Sequence, residues 1–217
     1  KQNKPKGLLG INIGPNKDSL NRIEDYIACF KKFCNQADYL TINISSPNTE
    51  NLRDFHDKKE LDELISAINA EKENLNSKVP IAVKISPDLN QTKIEEVSEI
   101  LIKNNIDAAI ISNSTDGNRE NLLNINKFEK GGLSGKPIEK ISNKIISQFY
   151  RLIGSKIKII GVGGVDSANG VYEKIKSGAN LVQLYTGMVY KGPGIAIQIN
   201  EELIKLLKKD GIKNISE

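Results

Sequence analysis

Six short apolar runs, separated by amphipathic stretches, constrain the fold of this 217-residue chain more than any other feature. The runs are continuous rather than alternating, which predicts strands of a parallel sheet buried on both faces. We expect these strands at Leu8 to Asn12, Tyr39 to Ile44, Ile81 to Ile85, Ala108 to Ser112, Ile157 to Val162 and Leu181 to Tyr185. The intervening stretches repeat apolar residues at helical spacing. The first stripe comprises Leu20, Ile23, Ile27, Phe30 and Cys34. Such repeated βα units predict an α/β fold.

Small or polar clusters follow nearly every predicted strand, and they distinguish between two α/β architectures. A doubly wound open sheet concentrates its functional groups at one switch point. A closed (β/α)8 TIM barrel instead gathers them from many strand ends around one mouth. We therefore favour a TIM barrel, as a single domain over residues 1–217, with about six of the eight βα units present. A barrel that lacks its first two units would have two free sheet edges.

Composition argues against several functional classes. The 31 Lys and Arg residues against 27 Asp and Glu give a scattered net charge of +4, so we expect no nucleic-acid partner. No apolar run approaches the roughly 18 to 20 residues of a membrane helix, and Lys1 to Lys6 is too polar for a signal peptide. The single histidine, His56, and the cysteines Cys29 and Cys34 lack metal-ligand spacing, so we expect no metal site and no disulfide.

Three glycine-rich segments predict a site for a phosphate-bearing ligand. Gly161 to Gly164 follows a predicted strand and precedes a predicted helix at Ser167 to Ser177, and Tyr185 to Gly187 ends the next strand. Glycines let backbone N–H groups approach an anion, and the loops after the last two strands are the usual phosphate site of a TIM barrel. Gly131 to Gly135 adds a third loop of this kind. The alternative is that these glycines only form tight turns.

Polar residues at the other strand ends predict recognition of a planar, anionic or electron-rich ligand. Lys84 lies among apolar neighbours in its strand, where an unpaired ammonium is costly unless it faces a ligand. The alternative is that its side chain extends to solvent. Asparagine offers a donor and an acceptor together, which suits a heterocycle with carbonyl and N–H groups. Asn43 to Thr49, and Asn113 with its flanking serines, supply such groups.

These motifs together resemble dihydroorotate dehydrogenase of class 2, the quinone-reducing flavoprotein family. The resemblance rests on seven segments in order: GINIG-x-NK at Gly10 to Lys17, NISSPNT at Asn43 to Thr49, VKI-x-PDL at Val83 to Leu89, SNST at Ser112 to Thr115, GGLSGKP at Gly131 to Pro137, GVGG at Gly161 to Gly164 and LVQLYTG at Leu181 to Gly187. It implies oxidation of dihydroorotate to orotate in pyrimidine biosynthesis, with hydride transfer to FMN and reoxidation by a membrane quinone. It also implies that this chain is the C-terminal two-thirds of the enzyme.

The resemblance assigns roles residue by residue. Ser46 would be the base that removes the C5 proton, and Lys84 would lie at the pyrimidine end of the flavin. The implied FMN contacts are Asn12, Asn43, Lys84, Ser112, Gly135, Gly164, Tyr185 and Thr186. The implied substrate contacts are Asn43, Ser46, Asn48, Asn113 and Ser114. Serine rather than cysteine at position 46 implies class 2, and hence peripheral attachment through N-terminal helices to the cytoplasmic face of a bacterial inner membrane, or alternatively to the mitochondrial inner membrane.

The chain departs from the family pattern at three positions. Ser112 and Ser114 stand where threonine is usual, and they keep the hydroxyl group. Asn51 stands where glycine is usual, and we expect it to keep a left-handed turn because asparagine tolerates that conformation. Two alternatives are a non-catalytic fragment and another FMN-dependent barrel, such as a tRNA-dihydrouridine synthase, which would need a catalytic cysteine and a basic RNA surface. The sequence gives less support to a fold that binds a nicotinamide dinucleotide, since Gly161 to Gly164 lacks the G-x-G-x-x-G spacing.

Overall fold

A curled sheet of six parallel strands organises the structure, a computed structural model that describes residues 7–49, 51–117 and 119–216. The strands follow chain order across the sheet, and each pairs with the next. They are β1 (Gly10–Ile13), β2 (Tyr39–Asn43), β3 (Ile81–Ile85), β4 (Ala108–Ile111), β5 (Lys158–Val162) and β6 (Leu181–Gln183). The six predicted strands are confirmed, and they differ from the prediction only at their ends.

Helices follow the strands and cover the outer face of the sheet. They are α1 (Arg22–Phe33), α2 (Lys58–Asn74), α3 (Gln91–Lys103), α4 (Glu139–Ile153), α5 (Ala168–Lys176), α6 (Thr186–Lys191) and α7 (Ile195–Lys209). Short 3₁₀ turns occur at Leu52–His56, Ile125–Phe128 and Lys136–Ile138. Side chains that accept a hydrogen bond from a first-turn backbone N–H cap four of the helices, as is usual for Asn, Asp and Ser at this position. These residues are Asn21, Asp57, Asn90 and Ser167.

The prediction that Leu20 belongs to the first helical stripe is wrong. Asn21 caps α1 in an extended conformation, so Leu20 lies before the helix and its side chain is fully exposed. The rest of that stripe packs as expected: Phe30 and Cys34 are buried, and Ile23 and Ile27 pack against the core.

Two apolar layers lie on opposite faces of the sheet. The larger layer fills the space between strands and helices and includes Leu40, Ile42 and Ile85. A smaller layer on the inner face joins Ala82, Ile110 and Ile160. The strands have continuous apolar sequences because both faces of the sheet are covered.

The sheet curls into a partial (β/α)8 TIM barrel, as predicted. Gln183 Nε2 on β6 donates a hydrogen bond of 3.3 Å to Tyr39 Oη on β2, although three strands separate these two in the sheet order. β1 and β6 are the edge strands of the described sheet, and Leu181 on β6 is 59% exposed.

Among the described residues, no helix combines the length and apolar character needed to cross a membrane.

Candidate functional site

A cavity of about 290 Å³ lies at the C-terminal ends of β3 to β6. Parallel strands direct these ends to one rim of the barrel, so residues distant in sequence converge there. Most of the predicted site residues line this cavity: Asn48, Lys84, Ser112, Asn113, Ser114, Gly135, Gly164, Tyr185 and Thr186. Asn12, Asn43 and Ser46 are not among its lining residues.

Lys84 is a half-buried cation in the cavity wall. It forms no hydrogen bond or ion pair with any residue in the described part of the chain. Burial lowers its pKa, because no carboxylate offsets the cost of removing the ammonium from water. A bound anion would reverse that shift, so the position suits an electron-rich ligand.

We call Asn43, Asn48, Asn113 and Ser114 the amide wall; the last three line the cavity, and Asn43 supports them from behind. Asn113 Nδ2 donates to Asn43 Oδ1 at 3.2 Å and to Ser45 Oγ at 3.0 Å, which connects the ends of β2 and β4. Asn43 lies behind the cavity surface, and its backbone carbonyl oxygen accepts a 2.7 Å hydrogen bond from the buried Tyr26 hydroxyl. The amides are thus fixed by neighbouring side chains before any ligand arrives.

Ser46 lies half-buried in the loop after β2, next to the amide wall. Its Oγ accepts a hydrogen bond of 3.2 Å from the Asn48 backbone N–H. Asn48 Oδ1 in turn accepts one of 3.1 Å from the Gly132 N–H. These contacts tie the serine loop to the glycine-rich segment Gly131 to Gly135.

Arg53, which sequence reasoning missed, clamps three strand-end loops beneath the amide wall. Its guanidinium donates to the carbonyl oxygens of Ser45 (3.4 Å) and Ser114 (3.2 Å). It also forms ion pairs with Asp88 at 3.0 Å and Asp116 at 2.7 Å. One planar fork can hold several acceptors in fixed geometry, which an ammonium cannot do equally well. Nothing in the local sequence distinguishes Arg53 from a surface arginine.

His56 is buried beside this clamp and has a structural role. Its Nδ1 lies 3.0 Å from the Arg53 carbonyl oxygen, and its Nε2 accepts a 3.3 Å hydrogen bond from the Ser86 N–H. Both contacts are satisfied by the neutral ring. Burial is the main cause that lowers the pKa of His56 to about 4.

The opposite side of the cavity, the glycine wall, comprises Gly135, Gly163, Gly164 and Thr186. Gly135 and Gly164 have φ values of +80° and +78°, which side chains rarely adopt. A Cβ on Gly135 would lie 2.8 Å from Thr186 Cγ2, and one on Gly164 would clash with Glu139 Cβ. Here the chain approaches itself so closely that only hydrogen fits, and backbone groups form the surface.

Two further hydroxyl groups complete the cavity lining. Ser134, which sequence reasoning did not single out, places its Oγ 3.0 Å from Thr186 Oγ1. Ser112 Oγ is buried and has no hydrogen-bond partner among the described residues. A buried hydroxyl of this kind is usually satisfied by a ligand or water. The orphaned hydroxyl, the isolated cation and the close-packed glycines together fit a planar heterocycle that carries a phosphate.

Other predicted positions fall outside the cavity. Asn12 is exposed on the edge strand β1. Asn51 has φ 56° and ψ 8°, so the expected left-handed turn is confirmed. Cys29 and Cys34 are free thiols. No cluster of three or more His, Cys, Asp or Glu residues suited to a metal occurs in the ranges that the structure describes.

Comparison with known proteins agrees with this arrangement. The family model described as "Dihydroorotate dehydrogenase" matches residues 1–207 of the chain. The chain belongs to the dihydroorotate dehydrogenase family. The predicted resemblance is therefore confirmed.

Relatives within the dihydroorotate dehydrogenase family are longer than this chain. A dihydroorotate dehydrogenase (quinone) of Bartonella henselae is 44% identical over 216 residues, which cover 96% of this chain and 59% of that protein. A mitochondrial dihydroorotate dehydrogenase (quinone) of Arabidopsis thaliana is 41% identical and covers 97% of this chain and 47% of its own length.

A solved structure shows the same fold. The crystal structure of DHODH from Eimeria tenella in complex with ferulenol superimposes with a TM-score of 0.93 at 33% identity. The alignment covers 96% of this chain and 60% of that one. The described strands therefore correspond to part of that longer chain.

Proposed function

We propose that this chain belongs to a quinone-dependent dihydroorotate dehydrogenase that oxidises dihydroorotate to orotate in pyrimidine biosynthesis. The observation that carries the proposal is the cavity, whose lining combines residues of the amide wall and of the glycine wall with Lys84, a half-buried cation that has no partner among the described residues. The relatives' names supply the reaction. We propose residues 1–217 as one FMN-binding barrel domain of that protein.

The cofactor that fits the cavity is FMN. Its phosphate would lie at the glycine wall near Gly164, Tyr185 and Thr186, where backbone N–H groups can approach an anion. Lys84 and Ser112 would contact the ring system, with Lys84 at the pyrimidine end. Gly135, Asn43 and Asn12 complete the proposed FMN contacts. When bound, FMN would accept the hydride that leaves dihydroorotate and pass the electrons to a quinone.

The substrate would lie against the amide wall. Asn43, Asn48, Asn113 and Ser114 offer donors and acceptors that match the carbonyl and N–H groups of dihydroorotate. Ser46 would remove the C5 proton. A free serine is a weak base, so the ordered loop around Ser46 has to hold the hydroxyl in line with that proton and exclude water.

The proposed electron acceptor is a membrane quinone, and reaching it would require the protein to contact a membrane surface. We propose peripheral attachment to the cytoplasmic face of a bacterial inner membrane. The mitochondrial inner membrane is the alternative, since one relative is named as mitochondrial.

The test is anaerobic reduction of the full-length protein that contains this chain. We expect the purified protein to show flavin absorption bands that bleach when dihydroorotate is added and return when a quinone is added. The untreated protein under the same anaerobic conditions is the control. Bands that persist with dihydroorotate would contradict the proposed substrate, and a colourless protein would contradict the proposed cofactor.

A further inference from the structure

Lys174 is a fully buried lysine on the inward face of α5. Its Nζ donates hydrogen bonds to Ser142 Oγ at 3.0 Å and to Asn143 Oδ1 at 2.8 Å, both in the first turns of α4. Both acceptors are neutral, and Lys174 forms no ion pair with any residue in the described ranges.

A chain of hydrogen bonds connects this ammonium to the glycine wall. Ser142 Oγ, which accepts from Lys174, donates its own proton to the Val162 carbonyl oxygen at 2.7 Å. Val162 is the last residue of β5, and Gly163 and Gly164 follow it into the cavity lining. A Cβ on Gly163 would lie 3.2 Å from the Ser142 side chain. The ammonium is therefore held behind the loop, on the side opposite the cavity.

The buried charge is only weakly compensated within the described chain. Burial lowers the pKa of Lys174 to about 8, although Glu139 raises it and Lys136 lowers it by smaller amounts. Glu139 is itself paired with Lys136 at 2.9 Å, and Lys136 also contacts Asp166 at 3.2 Å. A buried cation that has only neutral acceptors is costly. An anion bound on the other side of the loop would offset that cost.

We propose that Lys174 is a positioning residue for the phosphate of the bound flavin and makes the site prefer a phosphorylated flavin over an unphosphorylated one. The inference rests on the proposed function, because it assumes that a flavin occupies the cavity. Lys174 acts through the loop: it fixes the Ser142 hydroxyl toward Val162 and supplies a positive charge behind the backbone groups that face the phosphate.

The test compares FMN with riboflavin, which has the same ring system and no phosphate. Both flavins are titrated into the full-length apoprotein and into a Lys174→Met variant, which keeps an unbranched side chain of similar length. We expect the variant to bind FMN about tenfold more weakly, as loss of one nearby unit charge implies, and riboflavin unchanged. The matched control is Lys176→Met, since Lys176 lies on the same helix with its side chain 58% exposed.

One further measurement keeps the test decisive. If Lys174→Met does not fold, the ratio of FMN to riboflavin affinity in the wild-type protein is measured as the pH rises past about 8. We expect the ratio to fall, because Lys174 loses its charge while the ring groups titrate alike in both flavins. Equal weakening of both flavins, or an FMN affinity that the variant leaves unchanged, would overturn the inference. A wild-type protein that binds neither flavin would instead overturn the proposed function, and the inference with it.

Discussion

The amide wall and the glycine wall are built by opposite means. Polar side chains form the amide wall, and a second layer of side chains, with Arg53 and Tyr26 foremost, holds them. Backbone forms the glycine wall, and there the absence of Cβ atoms at Gly135 and Gly164 lets loops approach one another. The first wall suits recognition of a heterocycle with directed donors and acceptors. The second suits an anion that needs several N–H groups at once.

The largest expected effect comes from Ser46→Ala, a change next to the amide wall that leaves the glycine wall intact. If Ser46 removes a proton, turnover should fall by roughly a hundredfold or more, since general-base catalysis contributes at least that much. Flavin binding should persist, because the glycine wall is untouched. Steady-state turnover and the visible spectrum together check this. Ser155→Ala, at an exposed position between α4 and β5, is the control, and unchanged turnover in Ser46→Ala would refute the assignment.

Gly164→Ala should act on the glycine wall, and therefore on FMN binding rather than on proton removal. The new Cβ would clash with Glu139 and would also require φ +78°, so FMN affinity and stability should both fall. Gly192→Ala separates the two causes, because Gly192 has φ +80° but no atom within 4 Å of an added Cβ. We expect Gly192→Ala to cost only about 1–2 kcal/mol of unfolding free energy and to bind FMN normally. Equal behaviour of the two variants in FMN titration and urea unfolding would show that close packing is unimportant.

The support beneath the amide wall should be sensitive to acid. The pKa of His56 is about 4 in the folded protein and about 6.5 in the unfolded chain. The stability that neutral His56 contributes is complete above about pH 6.5 and is lost progressively as the pH falls from there to about 4; the loss at pH 5 is about 2 kcal/mol. His56→Gln should lack this component, as urea unfolding at pH 7 and pH 5 would reveal. Parallel pH dependence in both proteins would show that His56 is not buried as the structure places it.

The smallest expected effect comes from Arg53→Lys, which keeps the positive charge but loses the planar guanidinium group with its several N–H donors. The contacts with Ser45, Ser114, Asp88 and Asp116 cannot all be kept, so the substrate loops should loosen. We expect kcat to fall about tenfold with FMN affinity unchanged. Arg151→Lys on the exposed face of α4 is the control. An FMN affinity that falls together with kcat would mean that the two walls are not independent.

Sequence patterns predicted the strands well because each covered strand needs an uninterrupted apolar run. Lys84 also stood out, since a charge among apolar neighbours is unusual wherever the strand is placed. The pattern was less reliable where a local cap decides the backbone: Asn21 begins α1 and leaves Leu20 outside the helix. Similarly, His56 lies in a polar segment, and only the fold shows that it is buried against Ser86.

The sequence by itself determined the α/β class, the positions of the six strands and most of the residues that line the cavity. Those features depend on local periodicity and on motifs that are continuous in the chain. Only the tertiary structure decided which groups support them. Arg53 joins loops that lie more than 60 residues apart, and Lys174 reaches the glycine wall through Ser142 on another helix. Such contacts arise from the packing of distant segments, so no local pattern marks the residues that make them.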